Sequence, residues 1–318
     1  MKKQLIKDIQ AGDAINSQFA IISVTLKSYS KGFKLDFEFG DNSGTIDGVL
    51  WDCAPDEHKK YSPGEIVTVQ GVVNVYQNEL QLNVSSVESV EGDYDIKEFL
   101  KSSHFNVDKM WEKLQDKIAS ISNEYLVLLL NSFFSDEAFV EKFILAPGGK
   151  KWHHGFLGGL LQHTLYMTQI ADFVSGIYPK CDRDLLLTGA ILHDIGKVYE
   201  LDVGGAINYS TRGRLEGHIS IGYHEVSAAV SKIEDFPEGL AAEVKHLILS
   251  HQGELANGSP VVPMTLEAVI LHQVDMLDSQ VEAYSNIIDK QAPDGAEWSE
   301  YIRLKERFFY FGEKYNGS

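Results

Sequence analysis

Up to residue 90 the chain alternates apolar and polar positions with a period of two. Five segments rich in Val, Ile, Phe and Thr carry this pattern, at 19–30, 33–40, 44–51, 65–76 and 79–90. Such alternation predicts half-buried β-strands. Turn-forming residues at 40–44 and 76–79 predict tight hairpins, and a short polar stretch before the turn at 61–65 predicts a short helix between the third and fourth strands. The pattern therefore predicts a five-stranded barrel.

From residue 107 onward the period changes to that of a helix. Apolar residues recur at helical spacing in eight segments, at 107–120, 123–146, 157–176, 183–193, 220–234, 239–250, 264–284 and 297–315. Because no further strand pattern follows the barrel, we expect the C-terminal two-thirds of the chain to be all-α.

These patterns predict a multidomain protein, an N-terminal all-β barrel followed by an all-α domain. Five strands with a short helix between strands three and four is the layout of the OB-fold barrel, which binds oligonucleotides in many proteins. We place this domain at 1–92, a helical connecting segment packed on the next domain at 93–150, and the all-α domain at 151–318.

Composition and net charge indicate which partners and which cellular compartment to expect. The chain has 318 residues and a net charge of −18, which argues against nonspecific binding of nucleic acid over the whole surface but not against a local groove. The sequence contains no apolar run long enough for a membrane helix, and its basic N-terminus lacks the apolar core of a secretion signal. With two cysteines in no metal-like spacing, a reduced cytoplasmic protein without membrane contact is expected.

Histidines and carboxylates at helical positions suggest the chemistry. They occur in the order His163, the pair His193–Asp194, His218, His251 and Asp275. One alone is weak support, since a lone helical histidine is more often structural, and Gly196 after the pair could simply be a helix cap. Together they predict a metal site. Nitrogen and oxygen ligands without a thiolate suit Mn, Fe, Co or Zn better than Mg.

The sequence segments around these residues resemble those of a known family. The segments "HHGFLGGLLQHTLYM", "GAILHDIGK" and "SHQGELANGSPVVPMTLEAVILHQVDMLD" resemble the HD superfamily of metal-dependent phosphohydrolases. With the preceding barrel, almost the whole chain resembles the YhaM family of 3′-to-5′ exoribonucleases. The resemblance makes 151–318 an HD domain.

The resemblance also implies a ligand set. It places His163, His193, Asp194 and Asp275 around one ion, adds His218 and His251 for a second ion, and makes Asp194 the shared carboxylate. It implies manganese or cobalt, one or two ions per site. The chain departs from the family at Gln252, where relatives carry a second histidine, and this puts the second ion in question.

Several residues are candidates for contact with substrate. Lys197 corresponds to the lysine of the "HDIGK" segment and is expected to act with Asp194 in catalysis. Arg212 and Arg214 lie on a glycine-containing stretch and could contact phosphate oxygens, although a solvated surface explains them equally well. His154 is a further candidate. In the barrel, Phe37 and Trp51 are candidates for stacking on bases, against the alternative that strand aromatics are buried.

The resemblance implies a metal-dependent 3′-to-5′ exonuclease. It would hydrolyse single-stranded RNA, with single-stranded DNA as a second substrate, to nucleoside monophosphates by metal-activated water. Two alternatives stay open at this point. One is an HD phosphohydrolase of small nucleotides, and the other is a DNA-binding replication accessory protein with a structural HD site. A homo-oligomer is compatible with the sequence.

Overall fold

The computed structural model describes residues 4–90, 92, 94–103, 105–150, 154–292 and 295–312. The chain divides into two compact units. We call Met1–His104 with Leu201–Ser210 the barrel unit, and Phe105–Glu200 with Thr211–Ser318 the helical unit. The three-part division predicted from the sequence, with boundaries at residues 92 and 150, remains a prediction.

Five strand pairings, four antiparallel and one parallel, close the barrel. Its strands are β1 (Ala14–Tyr29), β2 (Gly32–Asp41), β3 (Gly44–Cys53), β4 (Ile66–Tyr76) and β5 (Glu79–Ser89). They are hydrogen-bonded in the order β1-β2-β3-β5-β4, and β1 also pairs with β4. The pairing of β3 with β5 is parallel, whereas the others are antiparallel. This is the OB-fold barrel that the sequence predicted.

Alternation along the strands fills the barrel core. In β2, Leu35, Phe37 and Phe39 point inward and are at most 3% exposed. Facing strands contribute Phe19, Val69 and other buried apolar residues to the same core. The predicted short helix is present as a 3₁₀ turn at Glu57–Lys60.

A short hairpin corrects the expectation that the chain is all-α after residue 92. Strands β6 (Leu201–Val203) and β7 (Ile207–Tyr209) pair with each other and belong to the barrel unit. Gly205 donates its N–H to the carbonyl of Gly64 at 2.8 Å, so the hairpin is tied to the loop before β4. Strands of three residues are too short to show a period of two, which is why the pattern missed them.

Nine α-helices lie in the described part of the helical unit. They are α1 (Val107–Ala119), α2 (Glu124–Phe134), α3 (Glu137–Leu145), α4 (Gly159–Ile177), α5 (Arg183–Leu192), α6 (Lys197–Glu200), α7 (Thr211–Val230), α8 (Glu238–Ser250) and α9 (Leu266–Gln291). One large apolar core joins them, with Leu114, Phe143, Leu165 and Leu247 among its buried members. Helix α7 is interrupted at Gly217, whose φ is 73°.

Two helix predictions were wrong in detail. The segment predicted as one helix at 123–146 forms α2 and α3, because Asp136 caps a new helix by accepting from the N–H groups of Ala138 and Phe139. The segment predicted as a helix at 297–315 contains, within 297–312, a 3₁₀ turn at Arg303–Lys305 and isolated β-bridges. Residues 313–315 of that prediction lie outside the described residues. Among the helices described, none is long and apolar enough to cross a membrane.

Candidate metal centre

Five helices and their ends bring the predicted ligands together in the helical unit. His163 lies in the first half of α4, and Asp275 lies in the middle of α9. His193 is the C-terminal cap of α5, and Asp194 follows it in the turn toward α6. His218 directly follows the break in α7, and His251 caps the end of α8.

The turn after Asp194 depends on Gly196. A Cβ atom at this position would lie 2.0 Å from the carbonyl oxygen of His218. Only glycine therefore lets the backbone of α7 approach closely enough for His218 to face Asp194. This close approach, rather than a helix cap, explains the glycine of the "HDIGK" segment.

Four side chains form what we call the first half-site: His163, His193, Asp194 and Asp275. His163 Nε2 lies 3.1 Å from His193 Nε2, 3.5 Å from Asp194 Oδ2 and 3.4 Å from Asp275 Oδ1. His193 Nε2 lies 3.4 Å from Asp194 Oδ2. All four residues are at most 8% exposed.

The other carboxylate oxygen of Asp194 faces the second half-site, formed by Asp194, His218 and His251. Asp194 Oδ1 lies 3.5 Å from His218 Nε2 and 3.7 Å from His251 Nε2. His251 is fully buried, whereas the side chain of His218 is 20% exposed. Asp194 thus presents one oxygen to each half-site.

Each ligand histidine turns its Nε2 toward Asp194 because its Nδ1 already has an acceptor. His193 and His251 donate from Nδ1 to the carbonyls of Ala190 and Ile248, at 3.0 and 2.7 Å. The two others donate to carboxylates, His163 to Asp278 at 2.6 Å and His218 to Glu200 at 3.1 Å. This arrangement fixes the tautomer with a lone pair on Nε2, which is the form that binds a metal.

The charges at the centre favour the ligand form of Asp194 and His251. Burial opposes the charge of Asp194, but Lys197 and His193 outweigh burial and hold the pKa of this carboxyl well below its usual range. Burial and the neighbouring His193 lower the pKa of His251 to about 3, so its ring is neutral at physiological pH. For His193, burial is outweighed by the neighbouring Asp194 carboxylate, which raises the pKa of that ring. Lys197 donates to Asp194 Oδ2 and to the carbonyl of Gly148, both at 2.6 Å.

The geometry of both half-sites fits a divalent ion. Ligand atoms about 2.0–2.2 Å from one ion lie roughly 3.0–3.5 Å from one another, as the atoms of His163, His193 and Asp194 do, and Asp275 Oδ1 lies within this range of His163 Nε2. Among the described residues, Asp194 Oδ1, His218 Nε2 and His251 Nε2 are buried and lack a hydrogen-bond partner. Unpaired buried polar atoms are costly, and a shared cation would satisfy all three.

Two residues predicted to contact substrate, His154 and Arg212, have protein side chains as partners in the structure. His154 is 0% exposed and its Nε2 lies 2.8 Å from Asp278 Oδ2, so the side chain is buried behind His163 and cannot touch a bound strand. Arg212 forms ion pairs with Glu216 and Glu225, at 3.2 and 3.1 Å, and both of these carboxylates compete with phosphate for its guanidinium. Arg214 lies on the exposed surface of α7.

The barrel unit separates its two predicted stacking residues. Phe37 is 3% exposed and packs on Phe39 and Tyr61 inside the barrel, so the prediction that it contacts substrate was wrong. Trp51 is 44% exposed. Its ring meets Tyr29 edge-on with 5.0 Å between centroids, and the Lys34 ammonium lies 5.1 Å from the ring centroid.

The sequence did not identify every residue that contacts a predicted site residue. Glu200, which accepts from both the backbone N–H and Nδ1 of His218, was not singled out. No spacing rule connects a glutamate at the end of α6 with a histidine after a helix break. Tyr29 and Lys34 beside Trp51 were also missed, because only the barrel register brings them together.

Two family models match the chain. A model described as HD domain matches residues 160–280, and one described as OB-fold nucleic acid binding domain matches residues 21–90. The chain therefore combines an HD domain, whose buried His and Asp cluster indicates a divalent-metal site, with an OB-fold domain of the nucleic-acid-binding class.

A curated relative then identifies the family. The 3′-5′ exoribonuclease YhaM of a Geobacillus species is 33% identical over 306 residues, which span 95% of this chain and 93% of that protein. The chain belongs to the YhaM family, as its sequence predicted.

Solved structures add little to this identification. The second OB-fold domain of replication protein A from Methanococcus maripaludis is 19% identical, with 30% of this chain and 100% of that chain covered and a TM-score of 0.25. Asparaginyl-tRNA synthetase from Pyrococcus horikoshii is 11% identical, with 76% and 63% covered and a TM-score of 0.24.

Proposed function

We propose that this chain is a metal-dependent 3′-to-5′ exoribonuclease that hydrolyses single-stranded RNA, with single-stranded DNA as a second substrate, to nucleoside monophosphates. The observation that carries the proposal is Asp194, whose two carboxylate oxygens each face one set of histidine Nε2 atoms. Membership of the YhaM family supports the polymer substrate and the direction of hydrolysis.

The residues divide into two sets of ligands. His163, His193, Asp194 and Asp275 would hold one divalent ion, and Asp194, His218 and His251 would hold a second one. We favour manganese or cobalt, because nitrogen and carboxylate ligands without thiolate suit these ions. Bound ions would supply activation of a water nucleophile and neutralise charge on the phosphodiester.

The chain's own residues prepare the centre for this chemistry. Nδ1 partners keep the four histidines in one orientation, and Lys197 keeps Asp194 ionised. Lys197 also has a third N–H donor, which we assign to a substrate phosphate oxygen. The partly exposed side chain of His218 would give the substrate access to the second half-site, and Arg214 on the same helix would contact a phosphate.

The barrel unit would hold the single strand. Exposed Trp51, with Tyr29 and Lys34 beside it, offers a ring for base stacking and a cation for the backbone. Neither alternative from the sequence is favoured. The OB-fold domain suits a polymer better than a small nucleotide, and the complete set of paired ligands suits catalysis better than a structural role.

A single assay tests the proposal. Purified protein is incubated with 5′-labelled single-stranded RNA and Mn²⁺, with and without EDTA, beside the variants Asp194→Asn and Asp116→Asn. We expect a ladder that shortens from the 3′ end, is abolished by EDTA and is lost in Asp194→Asn. Asp116 is an exposed aspartate on α1, so its variant should cleave normally. RNA that stays intact, while mononucleotides are hydrolysed, would instead support the small-nucleotide alternative.

A further inference from the structure

Asp278 lies behind His163, on the side opposite Asp194, and one of its carboxylate oxygens contacts two buried histidines, His163 and His154. Asp278 Oδ2 lies 2.6 Å from His163 Nδ1 and 2.8 Å from His154 Nε2. Asp278 is 7% exposed, and His154 is fully buried. One helix, α9, therefore supplies both a ligand, Asp275, and the carboxylate that contacts another ligand.

The two contacts of Asp278 determine which atom donates in each hydrogen bond. As a carboxylate, Asp278 can only accept, so both rings must donate to it. His163 then carries its proton on Nδ1, and the lone pair of Nε2 faces Asp194 and Asp275.

The backbone around His154 is built to hold this contact. Its φ is 48°, in the left-handed region that residues other than glycine seldom adopt. The carbonyl of His154 accepts from the N–H of Gly148 at 2.9 Å, and a Cβ atom at Gly159 would lie 2.0 Å from the same oxygen. Such a conformation persists where the surrounding structure determines it, and it is typical of functional sites.

The four ligand histidines differ in what holds them. His193 and His251 contact carbonyls three residues earlier in their own helices. His218 contacts Glu200 and is itself partly exposed. Among the described residues, only His163 is held by a carboxylate that a further buried histidine also contacts. The first half-site also has two carboxylates, whereas the second has Asp194 alone.

We propose that Asp278 and His154 are positioning residues, in which His154 fixes Asp278 and Asp278 fixes the ring of His163, so that the first half-site is the tighter of the two. The inference rests on the proposed function, since it assumes that His163 is a metal ligand. It assigns His154 a role inside the protein in place of the substrate contact expected from the sequence.

Direct metal binding tests the inference without any RNA. Mn²⁺ is titrated into the metal-free full-length chain by isothermal calorimetry, for the wild type and for Asp278→Asn. Loss of a carboxylate behind a ligand histidine weakens metal binding by about 10- to 100-fold. We expect this loss in the tighter binding event of Asp278→Asn. For His154→Ala we expect a smaller loss, which His154→Gln, with its amide donor, partly restores.

Glu200→Gln is the matched control, because Glu200 contacts His218 as Asp278 contacts His163. This variant should leave the tighter binding event unchanged and weaken only the second one.

Wild-type affinity in a folded Asp278→Asn would overturn the inference, as would a loss confined to the second binding event. If Asp278→Asn does not fold by circular dichroism, the pair His154→Ala and His154→Gln decides. A wild-type chain that binds no Mn²⁺ would overturn the proposed function itself, which separates the two failures.

Discussion

Asp194 and Lys197 form a buried ion pair at the centre, and each constrains the other. Burial would lower the pKa of Lys197, but the Asp194 carboxylate at 2.6 Å outweighs burial and raises it. The ammonium also donates to the carbonyl of Gly148, so two of its three donors are directed by the protein. The third donor is thereby held in one direction, which suits contact with a phosphate oxygen better than a mobile surface lysine would.

We predict that Lys197→Met lowers kcat/KM for RNA by about 10²-fold or more, the usual effect of removing one donor aimed at developing charge. Bound metal should persist, because all six ligand side chains remain. Initial rates on labelled RNA and metal content by mass spectrometry would check both parts. Lys142→Met, at an exposed position of α3, is the control. An unchanged rate would show that Lys197 has no contact with the reacting phosphate.

At single residues, the sequence predicts some of the site contacts and misses others. Period-two alternation predicted β2 and β3, but it could not tell which face of either strand is buried, so it grouped Phe37 with Trp51. The resemblance to HD phosphohydrolases implied six ligand positions, and the structure brings those six side chains together. His154 and Glu200 act through contacts between residues distant in sequence, and no local pattern contains such contacts.

At the scale of elements, Asp172 on α4 joins three helices. It forms ion pairs with Lys117 of α1 at 2.5 Å and with Arg183 at the start of α5 at 2.7 Å. Burial would raise the pKa of Asp172, but hydrogen bonds from Lys117 and Arg183 outweigh it and lower the pKa. Because α4 and α5 carry His163 and His193, this carboxylate helps to fix the helices behind the first half-site.

We predict that Asp172→Asn lowers the free energy of unfolding by about 1 kcal/mol at pH 7, the sum of two half-exposed ion pairs. A lowered pKa in the folded state means that the stabilisation is complete above the unfolded pKa of 3.8 and declines as pH falls through the folded value. Urea unfolding of both proteins at pH 7 and pH 3 should therefore show a difference that shrinks in acid. A difference that is constant with pH would indicate lost packing instead.

The elements themselves were predictable where they are long and regular. All five barrel strands and most of the helices carrying the ligands follow from periodicity over eight or more residues. The exception is α7, which was predicted at 220–234 but spans Thr211–Val230, because the break at Gly217 interrupts its pattern. The hairpin β6–β7 is too short for a period, and its place in the barrel unit depends on contacts with the loop before β4. Segment 297–312 contains many apolar residues at roughly helical spacing, yet Phe309 packs on Tyr284 and Ser299 bonds to Phe309 as in paired extended chains.

For the whole molecule, two units with different chemistry are combined in one chain. The helical unit contains the candidate metal centre, and the barrel unit contains an exposed ring beside a cation. With a net charge of −18, binding of a polyanion cannot come from general attraction, so it must come from local features such as stacking. Stacking on one aromatic ring contributes about 1–3 kcal/mol per base.

We predict that Trp51→Ala separates strand binding from hydrolysis. Its Kd for a long single-stranded RNA, measured in EDTA so that no cleavage occurs, should rise by about fivefold or more. Its rate on a dinucleotide with Mn²⁺ should equal that of the wild type, because the ligand side chains lie in the helical unit. Tyr76→Ala, which removes another exposed aromatic of the barrel, is the matched control and should change neither value. Equal losses on both substrates would mean that Trp51 maintains the fold, whereas a normal Kd would place the strand on another face of the barrel.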